Sequence, residues 1–119
     1  MSYRILIVNN QPQMIGLISE KLKQLGHLVT TPVDSYVALE LVSVGGFDLI
    51  ILDDQMSLMN VEGFLESLDE AGVKAPVVLL SSSPDAVSDS GLIGVSEIIS
   101  KPFQMDMLIE CVSGLVNRN

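Results

Sequence analysis

Short apolar runs alternate along the chain with longer segments in which apolar residues recur every three or four positions. The short runs are rich in β-branched residues, and a helical segment separates most of them from the next. They predict five strands, at Arg4–Val8, about Leu28–Thr31, Leu49–Leu52, Val77–Leu80 and Glu97–Ser100. Strands buried on both faces read as continuous apolar runs, so this pattern predicts a parallel sheet covered by helices on each side. The expected fold class is α/β, a doubly wound (βα)5 three-layer sandwich.

Helical periodicity and helix-stop residues locate the segments between the strands. An amphipathic helix is expected after each of the first three strands and after the fifth. Glycine ends a helix readily, because it adopts the backbone conformation of the helix C-terminus without strain. The helices are expected from about Pro12 to Gly26, up to Gly45–Gly46, over about Glu62–Glu70, and from Phe103 onward.

Two helical segments leave alternatives open. Between Asp85 and Val95 the chain is rich in serine and glycine, which are poor helix formers, so we expect a short or frayed fourth helix there. The last helix carries Met107, Ile109, Cys111 and Val116 beside its main apolar stripe. This width is explained equally well by packing against the sheet and by a surface for a partner.

Length, charge and composition exclude several classes of protein. The 119 residues are expected to form a single domain over 1–119, and 48% of them are hydrophobic. The net charge of −9 argues against direct binding of nucleic acid, whose partners neutralise phosphates with basic residues. No apolar run approaches the roughly 20 residues of a membrane span, and no secretory signal is visible, so a cytoplasmic location is expected. The single Cys111 and single His27 predict neither a disulfide nor a zinc site.

Polar side chains follow four of the five predicted strands. The carboxyl ends of parallel strands meet at one edge of a doubly wound sheet, where ligands and chemistry gather. A carboxylate, a hydroxyl and an ammonium at that edge could receive a phosphoryl group. The alternative is a solvated carboxylate, a helix cap and a surface ion pair. The residues at these strand ends are Asn9, Asn10, Asp53, Asp54, Ser81, Ser82 and Lys101.

Four stretches of the sequence resemble the response-regulator receiver domains of two-component signalling. They are RILIVNNQP at 4–12, DLIILDDQMSLMN at 48–60, APVVLLSSS at 75–83 and IISKPF at 98–103, and together they span most of the chain. The resemblance implies a flavodoxin-like sheet with strand order 2-1-3-4-5. It also implies reversible phosphoryl transfer from a histidine kinase or phosphotransfer protein to an aspartate.

The same resemblance assigns roles to individual positions. It places the phosphoacceptor at Asp53, the switch hydroxyl at Ser81 and the phosphate-binding lysine at Lys101, with a cis peptide expected before Pro102. In the family a magnesium ion is held beside the acceptor. Here its ligands would be Asp53, the backbone carbonyl of Gln55 and the side chain of Asn10.

Two departures from the family pattern change these expectations. Asn9 and Asn10 stand in place of the acidic pair that holds magnesium, and an amide carbonyl brings no charge, so we expect magnesium to bind weakly. Asp54 would compensate only if it faced the same ion, and strand alternation predicts that it points to the opposite face from Asp53. Ile98 occupies the position of the aromatic switch residue and has no hydroxyl.

The sequence is compatible with three functions from different classes. The favoured one is a receiver domain that accepts a phosphoryl group on Asp53, with no enzymatic activity beyond its own phosphorylation and dephosphorylation. The alternative is a receiver-like module that binds proteins without being phosphorylated. A small hydrolase with Asp53 as nucleophile has little support, because a chain of single-domain length offers no second domain to close over a substrate. Expected partners are a histidine kinase or phosphotransfer protein, and an output domain or second copy at the last helix.

Overall fold

The structure is a computed structural model that describes residues 2–56, 58–83, 85 and 92–117. Five strands and four helices are assigned within these residues. Helices and strands follow one another in the predicted order. Their bounds are β1 Arg4–Val8, α1 Pro12–Gln24, β2 Leu28–Thr30, α2 Ser35–Val44, β3 Leu49–Asp53, α3 Val61–Glu70, β4 Val77–Ser81, β5 Glu97–Ser100 and α4 Met105–Val116.

The five strands form one parallel sheet in the order β2-β1-β3-β4-β5. This confirms the doubly wound α/β fold and the strand order that the family resemblance implies. Strands β3 and β4 each run one residue further than the apolar pattern predicts. Asp53 is in register with Leu80, and Ser81 is in register with Ser100, so both polar residues still belong to the sheet. Two candidate side chains are thereby held by strand backbone and not by a loop.

Each face of the sheet has its own hydrophobic core. Alternate residues of a strand point to opposite faces, so Ile5 and Ile7 pack on one side and Leu6 and Val8 on the other. Helices α1 and α4 cover the first side, while α2 and α3 cover the second with Phe64 fully buried. This two-sided burial explains why the central strands are apolar throughout their length.

Local capping chemistry sets the helix ends. The Asp34 carboxylate accepts the backbone N–H of Val37 at 2.9 Å at the start of α2, and the Asn60 side chain does the same for Gly63 at 2.7 Å at the start of α3. Each of these caps satisfies an N–H that the first helical turn leaves without a partner. Gly26 follows α1 with a φ of 92°, a conformation that side chains with a Cβ rarely adopt.

The last helix packs most of its wide apolar surface against the core. Ile109 and Cys111 lie half-buried against the first core, whereas Met107 is 61% exposed. It begins at Met105, two residues later than predicted, with Gln104 in extended conformation at its N-cap. Of the segment predicted as a short fourth helix, only Asp85 and 92–95 belong to the described residues, so that prediction lies outside them. Among the described helices, none is long and apolar enough to cross a membrane.

Candidate functional site

Asp53 ends β3 with its side chain completely buried and both carboxylate oxygens engaged. Oδ1 accepts the backbone N–H of Gln55 at 2.7 Å and the Lys101 ammonium at 2.7 Å. Oδ2 accepts the side-chain amide of Asn9 at 2.9 Å. A buried carboxylate stays charged only if its oxygens are paired and hydrogen-bonded, and here three donors do this. The site is therefore an anion held by fixed donors at the carboxyl end of the sheet.

Lys101 connects two carboxylates. Its Nζ lies 2.7 Å from Asp53 Oδ1 and 3.1 Å from Asp54 Oδ1, and its side chain is 13% exposed. The backbone N–H of Lys101 donates to the Ser81 carbonyl at 2.8 Å, which ties the end of β5 to the end of β4. The peptide bond between Lys101 and Pro102 is cis. This backbone hydrogen bond between the ends of β4 and β5 positions Lys101 so that its ammonium contacts both aspartates.

Asp54 faces the same lysine as Asp53, so the expectation that strand alternation turns it away is wrong. Strand β3 ends at Asp53, and alternation of side chains does not continue into the turn that follows. Asp54 Oδ2 accepts the Ser82 N–H at 3.0 Å and the hydroxyls of Ser81 and Ser82, both at 3.2 Å. Asp54 and Ser82 belong to the site, and the doublets Asp53–Asp54 and Ser81–Ser82 are the sequence signals that mark them.

The Ser81 hydroxyl is buried and directed at Asp54. Its Oγ donates to Asp54 Oδ2 and accepts the backbone N–H of Ser83 at 3.0 Å. The predicted hydroxyl therefore lies in the site, where it contacts Asp54, the residue next to the predicted acceptor Asp53. Ile98 is half-buried on β5 in register with Leu79.

The two asparagines after β1 take different positions. Asn9 joins the site, because its amide donates to Asp53 and its Oδ1 accepts the Gln11 N–H at 2.6 Å. Asn10 is exposed, and Gln55 presents its N–H to Asp53. Within the described ranges, no three His, Cys, Asp or Glu side chains are grouped so as to hold a metal ion.

Burial and the shared lysine separate the acidities of the two aspartates. Burial raises the pKa of Asp53 above its ordinary value, even though the Lys101 and Gln55 hydrogen bonds act in the opposite direction. Asp54 is also penalised by burial, but the hydrogen bonds from Ser82 and Lys101 outweigh this and lower its pKa. Burial acts against the ammonium of Lys101, yet its two aspartate partners raise its pKa. At neutral pH the lysine and Asp54 are therefore firmly charged.

Comparison with known proteins identifies this arrangement. Residues 5–113 match the family model of the response regulator receiver domain, and the chain belongs to that family. It is 33% identical over 120 residues to the transcriptional regulatory protein TcrA of Mycobacterium tuberculosis, covering 97% of this chain and 46% of TcrA. It is 30% identical over 118 residues to CutR of Streptomyces coelicolor, covering 97% of this chain and 54% of CutR. The chain thus spans about half the length of these relatives.

Solved receiver structures have the same fold. The response regulator TrrA of Thermotoga maritima, in complex with Mg(2+)-BeF, superposes with a TM-score of 0.83 at 28% identity, covering 95% of this chain and 98% of that one. The receiver domain of the sensor histidine kinase PA1611 of Pseudomonas aeruginosa, with magnesium in its active site cleft, gives 0.85 at 20% identity, covering 98% and 99%. The chain is therefore a receiver domain homologous to the response regulators of two-component systems.

Proposed function

We propose that Asp53 accepts a phosphoryl group from a histidine kinase or phosphotransfer protein. The observation that carries this proposal is the direct 2.7 Å contact between Asp53 and Lys101 at the carboxyl end of the sheet. An Asp53 oxygen forms a bond to phosphorus, while the bond from phosphorus to the donor histidine breaks and its electron pair leaves with the imidazole. The product is an acyl phosphate on Asp53.

The donors around Asp53 suit the charge that develops in this step. Fixed cations and N–H groups stabilise the negative oxygens of a transferring phosphoryl group. The Lys101 ammonium contacts both aspartates, and the Ser81 hydroxyl and the Ser82 N–H donate to the neighbouring Asp54. These three groups are the proposed binding partners of the phosphoryl oxygens.

Magnesium is proposed to bind this site weakly. A magnesium ion prefers carboxylate oxygens, and Asn9 directs an N–H, not an oxygen, at Asp53 Oδ2. A bound ion would be held by Asp53, with Asn10 and the carbonyl of Gln55 as neutral ligands, and would neutralise charge on the phosphoryl group. These residues fit magnesium poorly. The contact that Asn9 makes with Asp53 Oδ2 is a hydrogen bond from a neutral amide, whereas a metal ion would bring positive charge to the acceptor.

A groove beside Lys101 offers a surface for the phosphoryl donor. It has a volume of about 1350 Å³ and lies between α1 and the segment after β5. Its apolar lining includes Pro12, Met14, Leu17, Phe103 and Met105. A partner that docks on this groove brings its phosphohistidine to the edge of the sheet where Asp53 lies.

The relatives suggest what the phosphorylated domain controls. TcrA and CutR are transcriptional regulatory proteins of about twice this length, which supports regulation of an output domain and a cytoplasmic place of action. Self-phosphorylation from a small donor and self-dephosphorylation are the reactions proposed for this chain itself. Recognition of an output partner is proposed to involve the exposed edge of α4 around Met107.

The test is incubation with acetyl phosphate, with and without magnesium, followed by intact mass measurement. The wild-type chain is expected to gain one phosphoryl group, and Asp53→Asn to gain none. Because the metal ligands are mostly neutral, half-maximal phosphorylation is expected only at a magnesium concentration well above that for a receiver with an acidic pair. Absence of any gain at saturating magnesium, or an equal gain in Asp53→Asn, would overturn the proposal.

A further inference from the structure

Asp54 uses all three donors that a phosphoryl group on Asp53 would need. Its Oδ1 lies 3.1 Å from Lys101 Nζ, and its Oδ2 accepts the Ser82 N–H at 3.0 Å and the Ser81 hydroxyl at 3.2 Å. The Ser82 hydroxyl adds a fourth contact at 3.2 Å. In the unmodified protein these donors are therefore already bound to a negative oxygen pair.

The contacts of Asp54 are those of an anion ligand. A carboxylate and a phosphoryl group both present negative oxygens that accept hydrogen bonds from N–H, O–H and ammonium groups. Asp54 is attached to the chain next to Asp53, and its side chain is 18% exposed. It can therefore move toward solvent when another anion takes its donors.

We propose that Asp54 is an internal competitor of the phosphoryl group, which occupies its donors before phosphorylation and must leave them afterwards. This inference rests on the proposed function of Asp53. It makes Asp54 a positioning residue: it holds Ser81 and Lys101 in place in the unmodified chain and disfavours the phosphorylated one.

Charge supports the competition. A phosphoryl group brings further negative charge to a site where Asp53 and Asp54 already share the Lys101 ammonium. The Asp54 carboxylate already accepts hydrogen bonds from Lys101, from the Ser82 N–H and from the Ser81 hydroxyl, so a phosphoryl oxygen that bound the same donors would lie close to its negative charge. Displacement of its carboxylate admits the phosphoryl oxygens.

The first test uses inorganic phosphate and needs no phosphoacceptor. Phosphate is titrated into Asp53→Asn and into the double variant Asp53→Asn/Asp54→Asn, and the backbone amide signal of Ser82 is followed by NMR. The double variant is expected to bind phosphate at least about tenfold more tightly, a difference of about 1.4 kcal/mol. Equal affinity, or no binding to either variant, would overturn the proposal.

A matched control separates competition from general charge. Asp48 accepts the Arg4 N–H at 2.8 Å at the other end of the sheet, so Asp53→Asn/Asp48→Asn loses the same charge far from the donors. This variant is expected to bind phosphate as Asp53→Asn does. A gain as large as that of the Asp54 double variant would mean that net charge, and not donor competition, sets the affinity.

The second test asks whether Asp54 opposes phosphorylation itself. With acetyl phosphate at a fixed concentration, Asp54→Asn and Asp54→Ala are each expected to reach a higher phosphorylated fraction than the wild-type chain, once far-UV circular dichroism has shown that they are folded. A fraction no higher than wild type in both variants would contradict the proposal. If no variant takes up a phosphoryl group, the proposed function fails, and the phosphate titration alone decides whether Asp54 competes for the donors.

Discussion

Replacing Lys101 with Met should destabilise the protein far more than replacing either of its carboxylate partners. The ammonium lies 2.7 Å from Asp53 Oδ1 and 3.1 Å from Asp54 Oδ1, and Asp53 is completely buried. Without the lysine, two adjacent carboxylates face one another with no compensating charge. With Asp53→Asn, by contrast, the lysine keeps Asp54 as its partner.

The magnitudes of these two losses differ severalfold. Removing one partner of a buried ion pair costs about 3–5 kcal/mol, because the other charge is left uncompensated. Losing one hydrogen bond costs about 1 kcal/mol, which is the expectation for Asp53→Asn. Domains of this kind have a total stability of about 5–15 kcal/mol, so Lys101→Met removes a large share of it. The double variant Asp53→Asn/Lys101→Met should recover part of the loss, since it carries one buried charge fewer.

Urea denaturation at pH 7 measures these differences directly. Unfolding is best followed by far-UV circular dichroism, because the chain has no tryptophan. With a slope of about 1–3 kcal/mol per molar urea, a loss of 3 kcal/mol lowers the midpoint by about 1 M or more. Free energies of unfolding for Lys101→Met and Asp53→Asn that agree within about 1 kcal/mol would refute the reasoning.

The pH dependence of Lys101→Met provides an independent check of the same cause. Without the ammonium, the carboxyl pKa values in the folded variant rise above those of the unfolded chain. The folded state then binds more protons than the unfolded state, and stability increases as pH falls. The deficit relative to wild type should therefore shrink between pH 7 and pH 5, and a constant deficit would contradict charge repulsion as its origin.

Three further predictions concern residues outside the site. Burial lowers the pKa of His27 below its ordinary value of 6.5, so the folded state favours the neutral imidazole. The stability that depends on the neutral form should be lost as the pH falls below 6.5. An NMR titration of this single histidine that gives a pKa of 6.5 or more would contradict the prediction. Phe64→Ala should lower the free energy of unfolding by about 3–5 kcal/mol, measured by urea denaturation, because it opens a cavity in the core under α2 and α3. A loss below about 1 kcal/mol would mean that neighbouring side chains repack to fill the cavity. Asp34→Ala should cost about 0.5–2 kcal/mol through loss of the α2 cap, with Asp34→Asn nearly neutral, and equal losses in both would count against capping.

The sequence predicts the fold well because burial on both faces leaves an unmistakable pattern. Strands such as β3 and β4 are apolar at every position up to Asp53 and Ser81, so the places where they end, and the polar residues gathered there, can be read directly. Helix ends are readable where a capping side chain or a glycine stands, as at Gly26.

The directions of the side chains within the site could not be predicted from the sequence. The direction of Asp54 depends on the residue at which β3 stops, and one residue changes the face to which a side chain points. The contact of Asn9 with Asp53 depends on the path of the loop after β1, where its own Oδ1 accepts the Gln11 N–H. Hydrogen-bond partners of this kind are decided by loop geometry, and composition and periodicity carry no information about it.

The most direct measurement of the central claim is the position of the modified residue after phosphorylation. Borohydride adds one hydride to the carbonyl carbon of an acyl phosphate and releases phosphate, which leaves an aldehyde. A second hydride and a proton from water convert the aldehyde into the alcohol of homoserine, in place of the modified aspartate. Peptide mass spectrometry of the phosphorylated, reduced wild-type chain should therefore find homoserine at position 53. Homoserine at position 54, at another acidic residue, or at none would contradict the assignment of Asp53 as the acceptor.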